Sequence, residues 1–258
     1  MTRLLCIDLG NTHTSVGLFD AITLSHTWLL STEGRRTSDE WRLLLTGLLE
    51  RADVDTIDGV CICSTVPAVL HALRSLLEDT FRGLPGVVLG PGVRTGLPVL
   101  MDNPREVGTD RIANAVAALE LVGAPTVVVD LGTATTFDVV SPAGQYVGGV
   151  IAPGLEISVA ALGQHGAQLR QVELVTPRTV IAKNTVEALQ SGAVYGCAGQ
   201  VDGIVRRIAD ELDVPLSGLT VIATGVLAPA VLDECETITR YEPDLTLQGL
   251  RLVFERNI

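Results

Sequence analysis

The sequence predicts an α/β protein built of two similar lobes, and three observations carry that prediction. Hydrophobic residues make up 47% of the chain and aromatics only 3%. The apolar content is therefore Val, Leu, Ile and Ala, the profile of strands buried on both faces of a largely parallel sheet. Strand-length apolar runs alternate with stretches of helical periodicity. Finally, a strand–turn–strand unit built on Asp-Leu-Gly near the N-terminus recurs roughly a domain's length later.

Each element can be argued in turn. Arg3–Ile7 is an apolar strand, Asp8-Leu9-Gly10-Asn11-Thr12 a polar turn, and Thr14–Phe19 the returning strand. Thr37 followed by Glu40 fits a capping box, and Trp41, Leu44, Leu45 and Leu48 then form a helical stripe. Val60–Ser64 reads as a buried strand. Pro67 suits the first turn of the next helix, whose core face is Val69, Leu70, Leu73, Leu76 and Leu77. Gly86–Leu89 is a short strand, and a Gly/Pro-rich loop runs on to about Pro104. A helix is expected from Asp110 to Val122. The opening unit then returns as the strand Thr126–Val129, the turn Asp130-Leu131-Gly132-Thr133 and the strand Thr135–Val140. The remainder reads as mainly helical, with one strand at Thr220–Ala223 and a long helix capped by Lys183-Asn184-Thr185. The expected lobes are residues 1–120 and 121–258, with the boundary near Leu121 to Pro125.

Composition excludes several function classes. The net charge of -12 argues against nucleic acid or an anionic membrane as partner, because no basic stripe offsets it. No apolar run reaches the length of a membrane span, and Met1 to Cys6 lack the layout of a signal peptide, so a cytoplasmic protein is expected. Cys6, Cys61, Cys63, Cys197 and Cys235 lie among apolar neighbours without a complementary pair for zinc, and read as buried reduced thiols. His26, His71 and His165 show no triad or metal spacing. His13, in the first loop, reads equally well as a phosphate contact or a solvated histidine.

The two Asp-Leu-Gly turns carry the chemistry. Glycine lets the backbone bend tightly, so that successive N–H groups and Thr hydroxyls cradle phosphate oxygens. An Asp at a strand end, Asp8 or Asp130, holds a cation or its waters. Two such turns at matching places grip a nucleoside triphosphate from both sides; the plainer reading is two hairpin turns with capping Asp residues. In Gly108-Thr109-Asp110-Arg111, Asp110 opens a helix, which favours its ionised form, and an ionised carboxylate accepts the proton of an attacking hydroxyl. Arg111 beside it suits a carboxylate or phosphate. The alternative is that Asp110 only caps and Arg111 is solvated. Gly148 to Gly154 holds three glycines that permit close approach of a ligand or a backbone.

In this order, Asp8-Leu9-Gly10-Asn11-Thr12, Gly108-Thr109-Asp110-Arg111, Asp130 to Thr136, the Gly148–Gly154 stretch, Lys183-Asn184-Thr185 and the tail Leu245-Thr246-Leu247-Gln248-Gly249-Leu250 through Glu255-Arg256-Asn257 resemble the type III pantothenate kinases, also called the Bvg accessory factor group. The resemblance spans nearly the whole chain. It implies two ribonuclease-H-like, actin-like lobes with an ATP cleft between them, and phosphorylation of pantothenate by ATP in the first step of coenzyme A synthesis. It further implies ATP phosphates bound by the stretch Asp8, Leu9, Gly10, Asn11, Thr12, His13, Thr14 and Ser15, with Thr133 as a further ATP contact. Asp110 matches the general base, and Gly108, Thr109, Asp110 and Arg111 match the pantothenate site, with Arg111 facing the carboxylate. Asp130 matches a ligand of a monovalent cation, K⁺ or NH₄⁺, and Mg²⁺ is also required; Asp8 is its candidate ligand. Family members are homodimers with interfacial sites, and Thr185 matches a residue reaching pantothenate from the partner subunit.

Three positions depart from the family pattern. Thr224-Gly225-Val226 stands where Thr-Gly-Gly is usual, near the adenosine side. Met101 stands where many members place a tyrosine near the substrate; it fills the same apolar space without the hydroxyl. Thr109 stands where Ala is common. Two rival functions share the fold: a kinase acting on another small hydroxy acid or sugar, and a catalytically silent actin-like regulatory protein.

Overall fold

The computed structural model describes residues 3–165 and 172–258; residues 1–2 and 166–171 and the side chains of Pro67, Ala68 and His165 lie outside the described part. The chain divides into two compact units. Unit 1 comprises residues up to Leu97, then Asp102–Ala117 and Leu245–Ile258; unit 2 comprises Pro98–Met101 and Ala118–Asp244. The crossing at Ala117/Ala118 falls a few residues before the expected boundary, while the C-terminal segment belongs with the first unit.

Unit 1 is organised around one five-stranded sheet. Its strands are β1 (Arg3–Leu9), β2 (His13–Asp20), β3 (Thr23–Ser31), β4 (Gly59–Ser64) and β5 (Gly86–Val88), in the spatial order β3-β2-β1-β4-β5. The first two pairings are antiparallel and the last two parallel. Helix α1 (Ser38–Arg51) starts at the expected capping box: Thr37 Oγ1 accepts from Glu40 N–H at 3.3 Å, and Glu40 Oε2 accepts from Thr37 N–H at 2.7 Å. With α2 (Pro67–Asp79) it covers one face, burying Trp41, Leu45, Val69 and Leu73 against Leu5, Ile7, Leu9 and Ile62. On β1 and β4 the intervening residues Cys6, Asp8, Cys61 and Cys63 point to the opposite face, as strand alternation requires. Helix α6 (Leu245–Glu255) packs across β1, β4 and β2. Helix α3 starts in unit 1 and spans Thr109–Val122.

Unit 2 repeats the sheet. Strands β6 (Thr126–Leu131), β7 (Ala134–Val140), β8 (Tyr146–Pro153), β9 (Thr220–Thr224) and β10 (Arg240–Tyr241) lie in the order β10-β9-β6-β7-β8. Read from β8, the pairings run antiparallel, antiparallel, parallel, parallel, the same sequence as in unit 1. The repeat seen in the two Asp-Leu-Gly turns therefore extends to whole-sheet topology. Helices α4 (Leu155–His165) and α5 (Thr185–Glu211) pack together, and Val194, Val201 and Val205 of α5 join Val127, Val129 and Phe137 in the core. Asn184 caps α5, its Oδ1 accepting from Glu187 N–H at 2.9 Å.

Three strands escaped the sequence reading. In β3 most residues are exposed, Leu29 among them, so the edge strand lacks an apolar signature. In β8, Gly148 and Gly149 hide the strand pattern, and β10 is two residues long. No helix among the described residues is long and apolar enough to cross a membrane. All five cysteines are free, with Cys6, Cys61 and Cys63 buried.

Candidate active site

In unit 1, strand register decides the surroundings of Asp8. Asp8 is the penultimate residue of β1, level with Ser15 on β2 and Cys63 on β4. The turn after it is closed by Gly10 N–H donating to His13 O at 3.0 Å. A Cβ on Gly10 would sit 2.9 Å from that oxygen, tighter than a side chain tolerates without movement. Asn11 and Thr12 at the tip are exposed, whereas Thr14 is buried with its hydroxyl 2.8 Å from that of Thr32. Leu9 is buried too, so it offers a ligand only its backbone.

The Cys63 thiol donates to Asp8 Oδ1 at 3.1 Å. Burial pushes this thiol well above its ordinary pKa, and the negative charges of Asp8 and Asp110 push it further. Cys63 is thus a neutral donor between two carboxylates. The next residue, Ser64, joins the start of α3: Ser64 N–H donates to Thr109 Oγ1 and Thr109 Oγ1 donates to Ser64 O, both at 3.2 Å. Thr65 N–H in turn donates to Leu9 O at 3.1 Å. The end of β4 therefore ties the Asp8 turn to the first turn of α3.

Asp110 occupies that first turn. Its Oδ1 accepts from Arg111 N–H at 2.9 Å, and a Cβ on Gly108 would overlap the same oxygen. Gly108 leaves the carboxylate room in its present orientation, and its φ is not unusual. Burial raises the Asp110 pKa above the ordinary carboxylate value, opposed by the Arg111 amide and guanidinium. A helix N-terminus alone predicts the opposite direction; desolvation outweighs it.

In unit 2, Asp130 is level with Thr136 on β7 and Thr224 on β9. The turn closes through Gly132 N–H to Ala134 O at 3.1 Å. Two glycines from elsewhere press on it. A Cβ on Gly154 would lie 2.5 Å from Gly132 O and overlap Thr133 O. Gly225, at φ +95°, would place a Cβ 2.5 Å from Asp130 Oδ1 and 2.6 Å from Leu131 O. Leu227 N–H donates to Leu131 O at 3.0 Å, holding that loop down. Val226 is 43% exposed. Met101 ends a segment laid along β8, where Tyr146 N–H donates to Pro98 O at 2.9 Å and Leu100 N–H to Tyr146 O at 2.8 Å. Tyr146 is itself anchored by its hydroxyl, which donates to the buried Asp138 carboxyl at 2.8 Å. Thr185, the first residue of α5, is exposed.

Unit 1 thus gathers Asp8–Ser15 with Gly108–Arg111, while Asp130, Thr133, Met101 and Thr185 belong to unit 2. Sequence reasoning missed the parts of Cys63 and Ser64, and the bonds that tie Thr109, a candidate from the sequence, to Ser64. Cys63 looked like an inert thiol, and only strand register reveals its partner. Among the described residues no cluster of three or more His, Cys, Asp or Glu forms a protein-only metal cage. The donors fit the implied cations nonetheless. Mg²⁺ takes one or two carboxylates and completes its shell with water and substrate phosphates, a set Asp8 can supply. Beside Gly225, Asp130 Oδ1 and Leu131 O converge where a Cβ would otherwise sit, two oxygen donors of the kind a hard cation takes.

The family profile described as type III pantothenate kinase matches residues 4–207. The type III pantothenate kinase of Streptomyces griseus subsp. griseus is 59% identical over 261 residues, covering 99% of this chain and 98% of its own. Among solved structures, component A of the (R)-2-hydroxyglutaryl-CoA dehydratase of Acidaminococcus fermentans is similar with a TM-score of 0.58 at 13% identity, covering 100% of this chain and 99% of its own. The ROK hexokinase of Thermus thermophilus has a TM-score of 0.52 at 16% identity, covering 98% of both chains. At those identities the two structures speak for the two-lobed, actin-like fold and not for a reaction.

Proposed function

The chain belongs to the type III pantothenate kinase family, and from that premise we infer that it transfers the γ-phosphoryl group of ATP to pantothenate, giving 4′-phosphopantothenate and ADP. This is the first step of coenzyme A synthesis.

The observation that carries the residue assignments is the setting of Asp110. It sits in the first turn of α3, its carboxylate is oriented by the Arg111 amide, and Gly108 leaves it room. Asp110 takes the proton of the pantothenate hydroxyl as that oxygen bonds to the γ-phosphorus and the bond to the β-phosphate bridge breaks. Arg111 holds the pantothenate carboxylate with its planar fork. Gly108 and Thr109 shape the same pocket, and the resemblance adds Met101 as a substrate-side candidate. The backbone N–H groups and hydroxyls of the turn from Asp8 to Ser15 bind the ATP phosphates, with Thr14 acting through its bond to Thr32; Thr133 adds a further ATP contact. Asp8, with the nucleotide, would hold Mg²⁺, which would neutralise phosphate charge, and Asp130 would hold K⁺ or NH₄⁺.

The working form is a homodimer in the cytoplasm, with Thr185 reaching the partner's pantothenate. The exposed apolar residues Val180, Ile181 and Val186, which flank the start of α5, support an interface there on unit 2.

The test is coupled ADP release from wild type and Asp110→Asn, with and without pantothenate, in potassium or sodium. The expected result is pantothenate- and potassium-dependent release that falls by about 10²–10⁴-fold in the variant. Release that ignores pantothenate would assign the site to another hydroxy acid. No release from folded wild type would identify a silent regulatory protein.

A further inference from the structure

The tail motif Leu245–Leu250 through Asn257 has no part in the reaction described so far, yet α6, which contains most of it, touches three functional segments of unit 1. Its Thr246 hydroxyl donates to Asn114 Oδ1 at 2.7 Å, and both residues are buried. Asn114 lies one helical turn after Asp110 on α3. One turn further along α6, Gly249 meets the backbone of Ala113: a Cβ there would overlap the Ala113 carbonyl. The two helices are thus in backbone contact immediately behind the first turn of α3.

The same helix is seated on the strand that carries Asp8. It packs across β1 and β4, and Phe254 fills the space above Gly59 so closely that a Cβ at Gly59 would collide with its ring. Beyond its last turn, Asn257 takes both backbone groups of Arg94, accepting from the N–H at 3.0 Å and donating to the carbonyl at 2.8 Å. The Arg256 guanidinium donates to Thr95 O and lies over Gly96. That loop begins the segment leading to Met101 and Gly108.

We propose that α6 is the positioning element of the catalytic half-site in unit 1, with Thr246 and Gly249 setting α3, and hence Asp110, against the strand that carries Asp8. The proposal rests on the reading of Asp110 as general base. Apolar contacts alone would bury these helices as well, but they tolerate sliding and rotation. A buried amide must be paired, so the Thr246–Asn114 bond admits one register. Displacement of a catalytic group by about 1 Å costs on the order of 10²-fold in rate, so that register matters to the base more than to folding.

The experiment compares Thr246→Val, Thr246→Ser and Asp110→Asn with wild type, reading Tm, kcat, and KM for ATP and for pantothenate. Thr246→Val keeps the shape and loses the donor. Its expected kcat is down by about 10-fold or more, with Tm within a few degrees and KM for ATP within about twofold. Thr246→Ser restores kcat to within about twofold of wild type. Gly249→Ala, if it folds, loses more activity than Thr246→Val. Wild-type kcat in Thr246→Val, or failure of Thr246→Ser to restore it, overturns the proposal while a dead Asp110→Asn leaves the base assignment standing. Wild-type kcat in Asp110→Asn overturns the base assignment and the proposal together.

Discussion

The Cys63 thiol donates a hydrogen bond to Asp8 Oδ1 at 3.1 Å, and the register of β1 beside β4 places the two residues level. A neutral donor at that position holds the carboxylate in one orientation. A thiol is a weak donor, so its bond contributes less than the about 1.5–3 kcal/mol of an ordinary bond to a charged group. Cys63→Ala is therefore expected to raise KM for Mg-ATP several-fold, while Cys63→Ser, which keeps a donor, stays near wild type. Steady-state kinetics at varied Mg-ATP checks this, and equal KM values for the Ala variant and wild type would count against Asp8 as the Mg-ATP ligand oriented by Cys63.

Gly108→Ala tests the room left for the base. The added methyl overlaps Asp110 Oδ1, so the carboxylate must turn away. The backbone there is not in the left-handed region, so folding should be little affected. The expected outcome is a loss of about 10²-fold in kcat with Tm changed by a few degrees at most. A kcat within threefold of wild type would show that the carboxylate's present orientation is not the reactive one.

The pH dependence follows from Asp110. Burial raises its folded pKa, so between the unfolded and the folded pKa the native state binds more protons than the unfolded state. Stability then decreases as pH rises through this window, and the ionised group destabilises the fold above it. Asp110→Asn should thus be more stable than wild type near neutral pH, and the difference should vanish below about pH 4, where the unfolded aspartate is also protonated. Denaturant melts at both pH values check the sign. In wild type the acid limb of kcat/KM should lie above the range of an ordinary aspartate; a limb at or below that range would reject Asp110 as the base.

Gly225→Ala tests the proposed cation site. At φ +95° a side chain costs about 1–2 kcal/mol, and its Cβ would crowd Asp130 Oδ1 and Leu131 O. The variant should need about tenfold more potassium for half-maximal rate while KM for pantothenate holds. An unchanged potassium requirement, measured by titration against a constant ionic strength, would remove Asp130 from the cation site.

Local chemistry was readable from the residues alone. The capping box at Thr37, the caps around Asn184, the apolar stripes of α1 and α2, and the two Asp-Leu-Gly turns each depend on neighbours within a few positions. The turns also disclosed the duplication, because each follows a buried strand and begins a hairpin. The edge strand β3 was not readable, since an exposed strand needs no apolar alternation.

What the sequence by itself determined, then, was the class of fold and the doubled turn, and it supplied the short list of candidate carboxylates for phosphoryl-transfer chemistry. Tertiary structure decided which groups touch them. That Asp8 meets Cys63, that Ser64 and Thr109 tie the end of β4 to α3, that Gly225 presses on Asp130, and that Thr246 reaches Asn114 depend on residues far apart in the chain. Strand register and helix approach set those contacts, and both are settled by packing of the whole unit, not by any local preference. The pKa of Asp110 makes the same point: a helix N-terminus lowers it, and burial by the surrounding fold raises it further than the helix can offset.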